Sequence, residues 1–202
     1  MPRPSRWNDV IEAAAVVFNE RGYHATRLED IAAALGMQKG SLYNYIDSKE
    51  DLLLAVVTLP ATQLLEILST LAESDLPASE KIRLVARSHA RVLEDYLPYV
   101  SVYVHEIAGQ AHSEKWREMD RSYVRHLSTV IDEGRQTGLF EASTDPTISA
   151  MALIGALNWM TRWYVPGGTL SAEEIAERMA DTFLAGLLAR NRPVMPSGND
   201  QG

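Results

Sequence analysis

Between Gln38 and Asn44 the chain reads Gln-Lys-Gly-Ser-Leu-Tyr-Asn, a run dense in side chains that make directional hydrogen bonds. Gln38 and Asn44 each offer a paired donor and acceptor, the pattern that matches the major-groove edge of adenine. Lys39 suits a guanine edge or a phosphate, and Ser41 and Tyr43 add hydroxyls to the same stretch. Gly40 lets the backbone come close to a phosphate. Thr26, Arg27, Tyr43 and Lys49 suit phosphate contacts, which fix register without reading sequence. Arg3 and Arg6 would extend this set from an N-terminal arm. Tyr45 completes the candidate set by position, although with Leu42 and Ile46 it chiefly holds the run to its support.

Such side chains read nothing unless a scaffold presents them. Val10, Ala14, Val17 and Phe18 form one stripe, which predicts a helix from about Ser5 to Arg21, stopped by Gly22. Thr26, with Glu29 three residues on, predicts a capping box for a second helix. Leu28, Ile31, Ala32 and Leu35 follow helical spacing there, and Gly36 closes the segment. A third helix is expected from about Lys39 to Tyr45, with Leu42 and Ile46 turned inward. Two short helices joined by a glycine turn and backed by a third make a helix-turn-helix. In that unit the second helix lies in the major groove. Periodicity by itself equally fits three short helices of an ordinary bundle.

The residue pattern tips that balance. Thr26, Ile31, Ala32, Ala34, Gly36, Gly40, Ser41, Leu42, Tyr43, Ser48, Lys49, Glu50 and Leu52 stand in a fixed order and spacing. In this the first quarter of the chain resembles the DNA-binding domain of the TetR family of bacterial one-component repressors. Ile46 departs from it, since most members carry Phe at that core position. The resemblance implies a homodimer on a palindromic operator of double-stranded DNA, released by a small-molecule effector.

Beyond Ser48, which is expected to cap a fourth helix, only helices are predicted, so the fold class is all-α. Pro60 should kink or break the fourth helix. Further helices are expected at Ala78–Leu97, ended by Pro98, then to about Ala108, and at Ser113–Thr137 and Pro146–Tyr164. Ser171 should cap a last one. The organisation expected is a helix-turn-helix domain over residues 1–50, a ligand-binding and dimerisation domain over 51–190, and a disordered tail over 191–202. The helix holding Met151, Leu153, Ile154, Leu157, Trp159 and Met160 has no polar face and reads as buried on every side. With Ile175, Met179, Phe183 and Leu187 of the last helix, it would build a four-helix dimer interface.

Asn158, Trp159, Arg162 and Trp163 break that apolar run. A buried Arg must be paired, and two readings stand: a salt bridge, with Asp181 one partner, or an anionic ligand. The stretches around Arg162 and Lys39 resemble those TetR-type regulators that respond to acyl-coenzyme A thioesters, which implies that Arg162 and its Trp neighbours hold the coenzyme part. Such members often have Arg where this chain has Val165. Tyr99, Tyr103, Trp116, Met119 and Tyr123 mix aromatic faces with polar tips. They suit a bulky apolar ligand and equally an aromatic core. A hydrophobic drug-like effector, as in regulators of efflux, is the alternative to an acyl-CoA.

Composition bounds the remaining classes. The 202 residues carry a net charge of −8, and residues 1–50 carry six Lys/Arg against seven Asp/Glu, so the acidity lies mostly in the later chain. The chain has no cysteine, which removes disulfides, thiolate metal sites and cysteine nucleophiles. No Gly-x-Ser-x-Gly elbow, phosphate loop or HExxH spacing occurs, and His89, His105, His112 and His126 form no convincing metal set. Neither an enzyme nor a cofactor is therefore expected. An all-α enzyme or an adaptor without DNA binding remains the rival class. The N-terminus does not read as a signal peptide, and the run Ile148–Met160 is too short to span a bilayer. The expected location is the cytoplasm, with no membrane partner.

Overall fold

The computed structural model describes residues 6–107 and 114–188, and among these the regular elements are helical. Helix α1 (Trp7–Arg21) buries Val10, Ala14, Val17 and Phe18, and Gly22 ends it with a φ of +78°. Helix α2 (Leu28–Ala34) follows, one residue later than the capping-box reading placed it. Thr26 does not cap it. Its hydroxyl donates to the Gly22 carbonyl at 2.8 Å, and the side chain is only 2% exposed. The Arg27 N–H is instead taken by the Asp30 carboxylate at 2.8 Å. Glu29, freed from capping, forms an ion pair with Lys39 at 2.8 Å.

Gly36 makes the turn to α3 (Lys39–Leu42) with a φ of +61°, a backbone state that costs glycine nothing. The third helix is thus shorter than predicted, and turns carry the chain to Tyr45. Ser48 caps α4 (Lys49–Ala72) as expected, accepting the Asp51 N–H at 3.0 Å.

Pro60 does not break α4, which runs through it for 24 residues. Pro60 is itself buried, so packing along both halves of the helix holds it together despite the missing donor. By length and hydropathy α4 is apolar enough to cross a membrane. Its apolar residues serve two cores instead. Leu52, Leu53, Val56 and Val57 join α1, α2 and α3 in one cluster, and Leu68 joins the larger one.

That larger cluster is built by α5 (Ala78–Asp95), α7 (Glu114–Gln136), α8 (Pro146–Trp159) and α9 (Ala172–Leu187). Tyr96, not Pro98, interrupts the chain between α5 and α6 (Leu97–Val102), and Pro98 sits in the first turn of α6, where no N–H is needed. A π-helical turn, Tyr103–Ile107, follows. Helix α8 ends at Trp159 in a 3-10 turn, sooner than expected. Ser171 and Glu174 form a complete capping box on α9. Buried Lys81 ties the end of α4 to α7, donating to the Ala72 carbonyl at 3.1 Å and to Glu133 at 2.7 Å.

The expectation that α8 is buried on every side does not hold within one chain. Ala150, Leu153 and Leu157 are buried, but Met151 is 59% and Trp159 61% exposed. The helix has one face in the core and an equally apolar face outside it.

Candidate DNA-reading and effector sites

Helix α3 is held from below by Leu42 and Ile46, both buried against α1, α2 and α4. That anchoring turns Gln38, Lys39, Gly40, Tyr43 and Asn44 outward, and all five are exposed. Ser41 and Tyr45 are half-buried, with Tyr45 packed against the small core. Lys39 is held at its Nζ by Glu29, and the same hydrogen bond raises its pKa and lowers that of Glu29. Contact with a phosphate requires Lys39 to leave that carboxylate.

The flanking residues differ among themselves. Arg27 is exposed, whereas the Thr26 hydroxyl is spent inside the fold. Lys49 lies over the Tyr23 ring, 4.2 Å from its centroid, and donates to the His24 carbonyl at 3.5 Å. Burial lowers its pKa, opposed by nearby Glu106. Arg6 donates to the Leu35 carbonyl at 3.3 Å. Arg3 lies outside the described residues, as do His112 and the tail.

The second site is a cavity of about 670 Å³ between α4, α5, α7 and α8, open to solvent along part of α7 and α8. Val57, Pro60, Ala61 and Leu64 give its α4 wall, and Met151 and Ile154 face them from α8. Of the predicted ligand residues, Tyr103, Trp116, Met119, Tyr123 and Asn158 line it. Tyr99 lines a neighbouring cavity of about 780 Å³ between α1, α4 and α6, which shares Trp116 and Met119.

Trp159, Arg162 and Trp163 line neither cavity, because the end of α8 turns them outward. The Arg162 guanidinium rests on the Trp159 ring, 5.8 Å from its centroid, within cation–π range. Asp181, the partner considered for it, pairs with Arg83. Sequence reasoning also missed that His89 lines the cavity. Its ring lies 3.1 Å from Asn158 Oδ1 and 3.2 Å from the Tyr123 hydroxyl. A single His on a helix gives no signal for this, since its partners sit 34 and 69 residues away. Burial pushes the His89 pKa down to about 4 against the opposing bond to Asn158, so the ring is neutral at pH 7. Burial raises the Tyr123 pKa, and that of Tyr103, whose hydroxyl donates to Asp120 at 3.0 Å.

Among the described residues, a long-range hydrogen bond links the two regions. Glu106, just beyond cavity-lining Tyr103, accepts the Tyr23 N–H at 3.1 Å in the turn between α1 and α2.

Comparison with known proteins agrees with both halves. Residues 10–56 match the model for bacterial regulatory proteins of the tetR family, and residues 75–187 that for the tetracyclin repressor-like C-terminal domain. The HTH-type transcriptional repressor KstR2 of Mycobacterium tuberculosis is 26% identical over 187 residues, 91% of this chain and 93% of that protein. The TetR family transcriptional regulator PfmR of Thermus thermophilus is 30% identical with a TM-score of 0.78, over 88% of this chain and 97% of that one. AibR, solved with isovaleryl coenzyme A and operator DNA, is 28% identical with a TM-score of 0.76, over the same shares.

Proposed function

Because the chain belongs to the TetR family of bacterial regulatory proteins and is a ligand-responsive DNA-binding transcriptional repressor, we propose how its residues divide that work. Residues 1–50 read DNA, and residues 51–190 bind the effector and dimerise. Gln38, Lys39, Tyr43 and Asn44 face the bases and nearest phosphates, with Arg27 on the flanking backbone. The observation that carries this reading is the contrast between an exposed polar row on α3 and a roomy apolar cavity in the same chain. A recognition helix needs the first, and a bulky effector needs the second.

The effector we propose is an acyl-coenzyme A thioester, released DNA being the response. AibR supports this, as its complex holds such a thioester and operator DNA. So does the placement of Arg121 and Arg125 at the α7 edge of the cavity, where phosphates could be met outside the apolar space. The same apolar lining fits a drug-like molecule, which is the second reading. The exposed face of α8, with Met151 and Trp159, supports a homodimer, which a palindromic operator also requires. We place the protein in the cytoplasm with the DNA, without a membrane partner, cofactor or reaction of its own.

Selection of genomic fragments by the purified protein, followed by sequencing, tests this. A recovered palindrome that acyl-CoA releases is the expected result. No enrichment at low salt, with or without acyl-CoA, overturns the DNA-reading assignment.

A further inference from the structure

We propose that the effector carries an uncharged oxygen on its buried apolar body, and that the Asn158 amide recognises it. This deepens the effector reading above and rests on it. Inside the cavity α5, α7 and α8 bring the polar groups of His89, Tyr123 and Asn158 together. His89 is 2% exposed, and both ring nitrogens are in use. An amide oxygen only accepts, so His89 donates to Asn158 Oδ1 through Nε2. Its Nδ1 then accepts the proton of the Tyr123 hydroxyl.

The Asn158 amide stands with Oδ1 toward His89. The amide nitrogen makes no hydrogen bond among the described residues and carries two donors at a wall of the cavity. The other polar residues of the lining are engaged or open to solvent. Asp120 accepts from Tyr103, Arg121 and Arg125 pair with Glu114 and Glu118, Ser128 donates to the Val124 carbonyl, and Thr147 is exposed. The unspent donors inside are therefore neutral. A ketone, hydroxyl or ester oxygen satisfies them. A plain hydrocarbon would strip them of water with nothing in return. An anion seated there would meet no opposing charge, because His89 is neutral.

The test uses a matched pair, 2-decalone and 2-methylenedecalin, in which =CH2 replaces =O. Binding to the full chain is followed by tryptophan fluorescence, Trp116 standing in the cavity wall. The expected result is that the ketone binds about tenfold more tightly or better, as one satisfied buried hydrogen bond implies. Asn158→Asp keeps an acceptor for His89 and the same shape, and should abolish that preference. Asn158→Leu does the same by a different route, with folding checked by thermal melting. Equal affinities in the unaltered protein, or a preference that survives both substitutions, overturns the proposal. So does a chain that responds to decanoyl-CoA yet takes neither probe. If the probes, decanoyl-CoA and 3-oxodecanoyl-CoA all fail to bind, the effector reading fails first and this inference falls with it.

Discussion

Helix α3 and the cavity solve opposite problems with the same material. At α3 a tight core holds a very short helix from beneath, so that its polar side chains are spent outward on a surface. Around the cavity, longer helices pack along the larger core on one side, and the space between them on the other is left unfilled. On the proposed reading, recognition in the first region comes from groups already presented. In the second it comes from a void and a few fixed donors. A substitution at α3 should therefore cost binding without stability. One in the cavity wall should touch both.

The largest expected effect is at α3. Replacing Lys39 and Tyr43 together by Ala removes two contacts of about 2 kcal/mol each, so operator affinity should fall about a thousandfold. Both residues are exposed, so the melting temperature should stay within a degree or two. Fluorescence anisotropy on labelled operator measures the first and calorimetry the second. Unchanged operator binding would end the assignment of the groove-facing residues.

The cavity wall should respond to pH. The unfolded-chain pKa of His89 is near 6.5, and its folded value is about 4, because burial favours the neutral ring. A depressed histidine pKa means that the unfolded chain takes up the proton first. This contribution is complete above pH 6.5 and is lost as pH falls from 6.5 toward 4. Between pH 7 and 5 the loss is about 2 kcal/mol. Denaturant titrations of the native protein and His89→Gln across that interval should diverge by that amount, with the variant flatter. Parallel curves would mean that His89 titrates alike in both states.

Filling the void separates the regions more finely. Ala61 lines the cavity from α4. Ala61→Phe should weaken effector binding about tenfold, or about 1.4 kcal/mol. It should leave operator binding unchanged and shift stability by about 1 kcal/mol or less, since the ring enters existing space. Isothermal titration with the effector and with operator DNA gives both numbers. Operator affinity falling in step with effector affinity would show that the wall and α3 are not separable.

The two regions were also unequally legible in the sequence. The residues proposed for DNA contact lie within 24 positions, Thr26 to Lys49, and local rules of capping, glycine turns and periodicity singled them out. Even there a competing local bond moved the start of α2, because the Thr26 hydroxyl found the Gly22 carbonyl four residues back instead of a capping role. The cavity is assembled from residues a hundred positions apart, and no local pattern separates a lining aromatic from a core one. Tyr103 and Tyr123 were found by type, while His89 was passed over. Arg162 and the flanking tryptophans read as buried because the helix is apolar all round, but a helix at the edge of one chain keeps one such face outside.

The smallest expected effect concerns the link between the regions. The Glu106 carboxylate accepts the Tyr23 N–H, and Gly22 beside it places an added Cβ 3.7 Å from the same oxygen. Lys49 lies over the Tyr23 ring, so one carboxylate on the cavity side steadies the turn that leads into α2. Glu106→Gln keeps the shape but weakens a charge-assisted bond. Operator affinity without effector should change less than about threefold. The factor by which effector lowers that affinity should shrink about fivefold, a coupling loss of about 1 kcal/mol. Linkage makes the prediction stricter, because operator must then weaken effector binding by the same reduced factor. Titrating effector with and without operator measures the second arm. If only the first arm shrank, the cycle would not close, and two-site coupling through Glu106 would be the wrong description. If neither changed, the turn and the cavity would communicate through α4 and the α6 and α7 residues packed in the small core, not through Glu106.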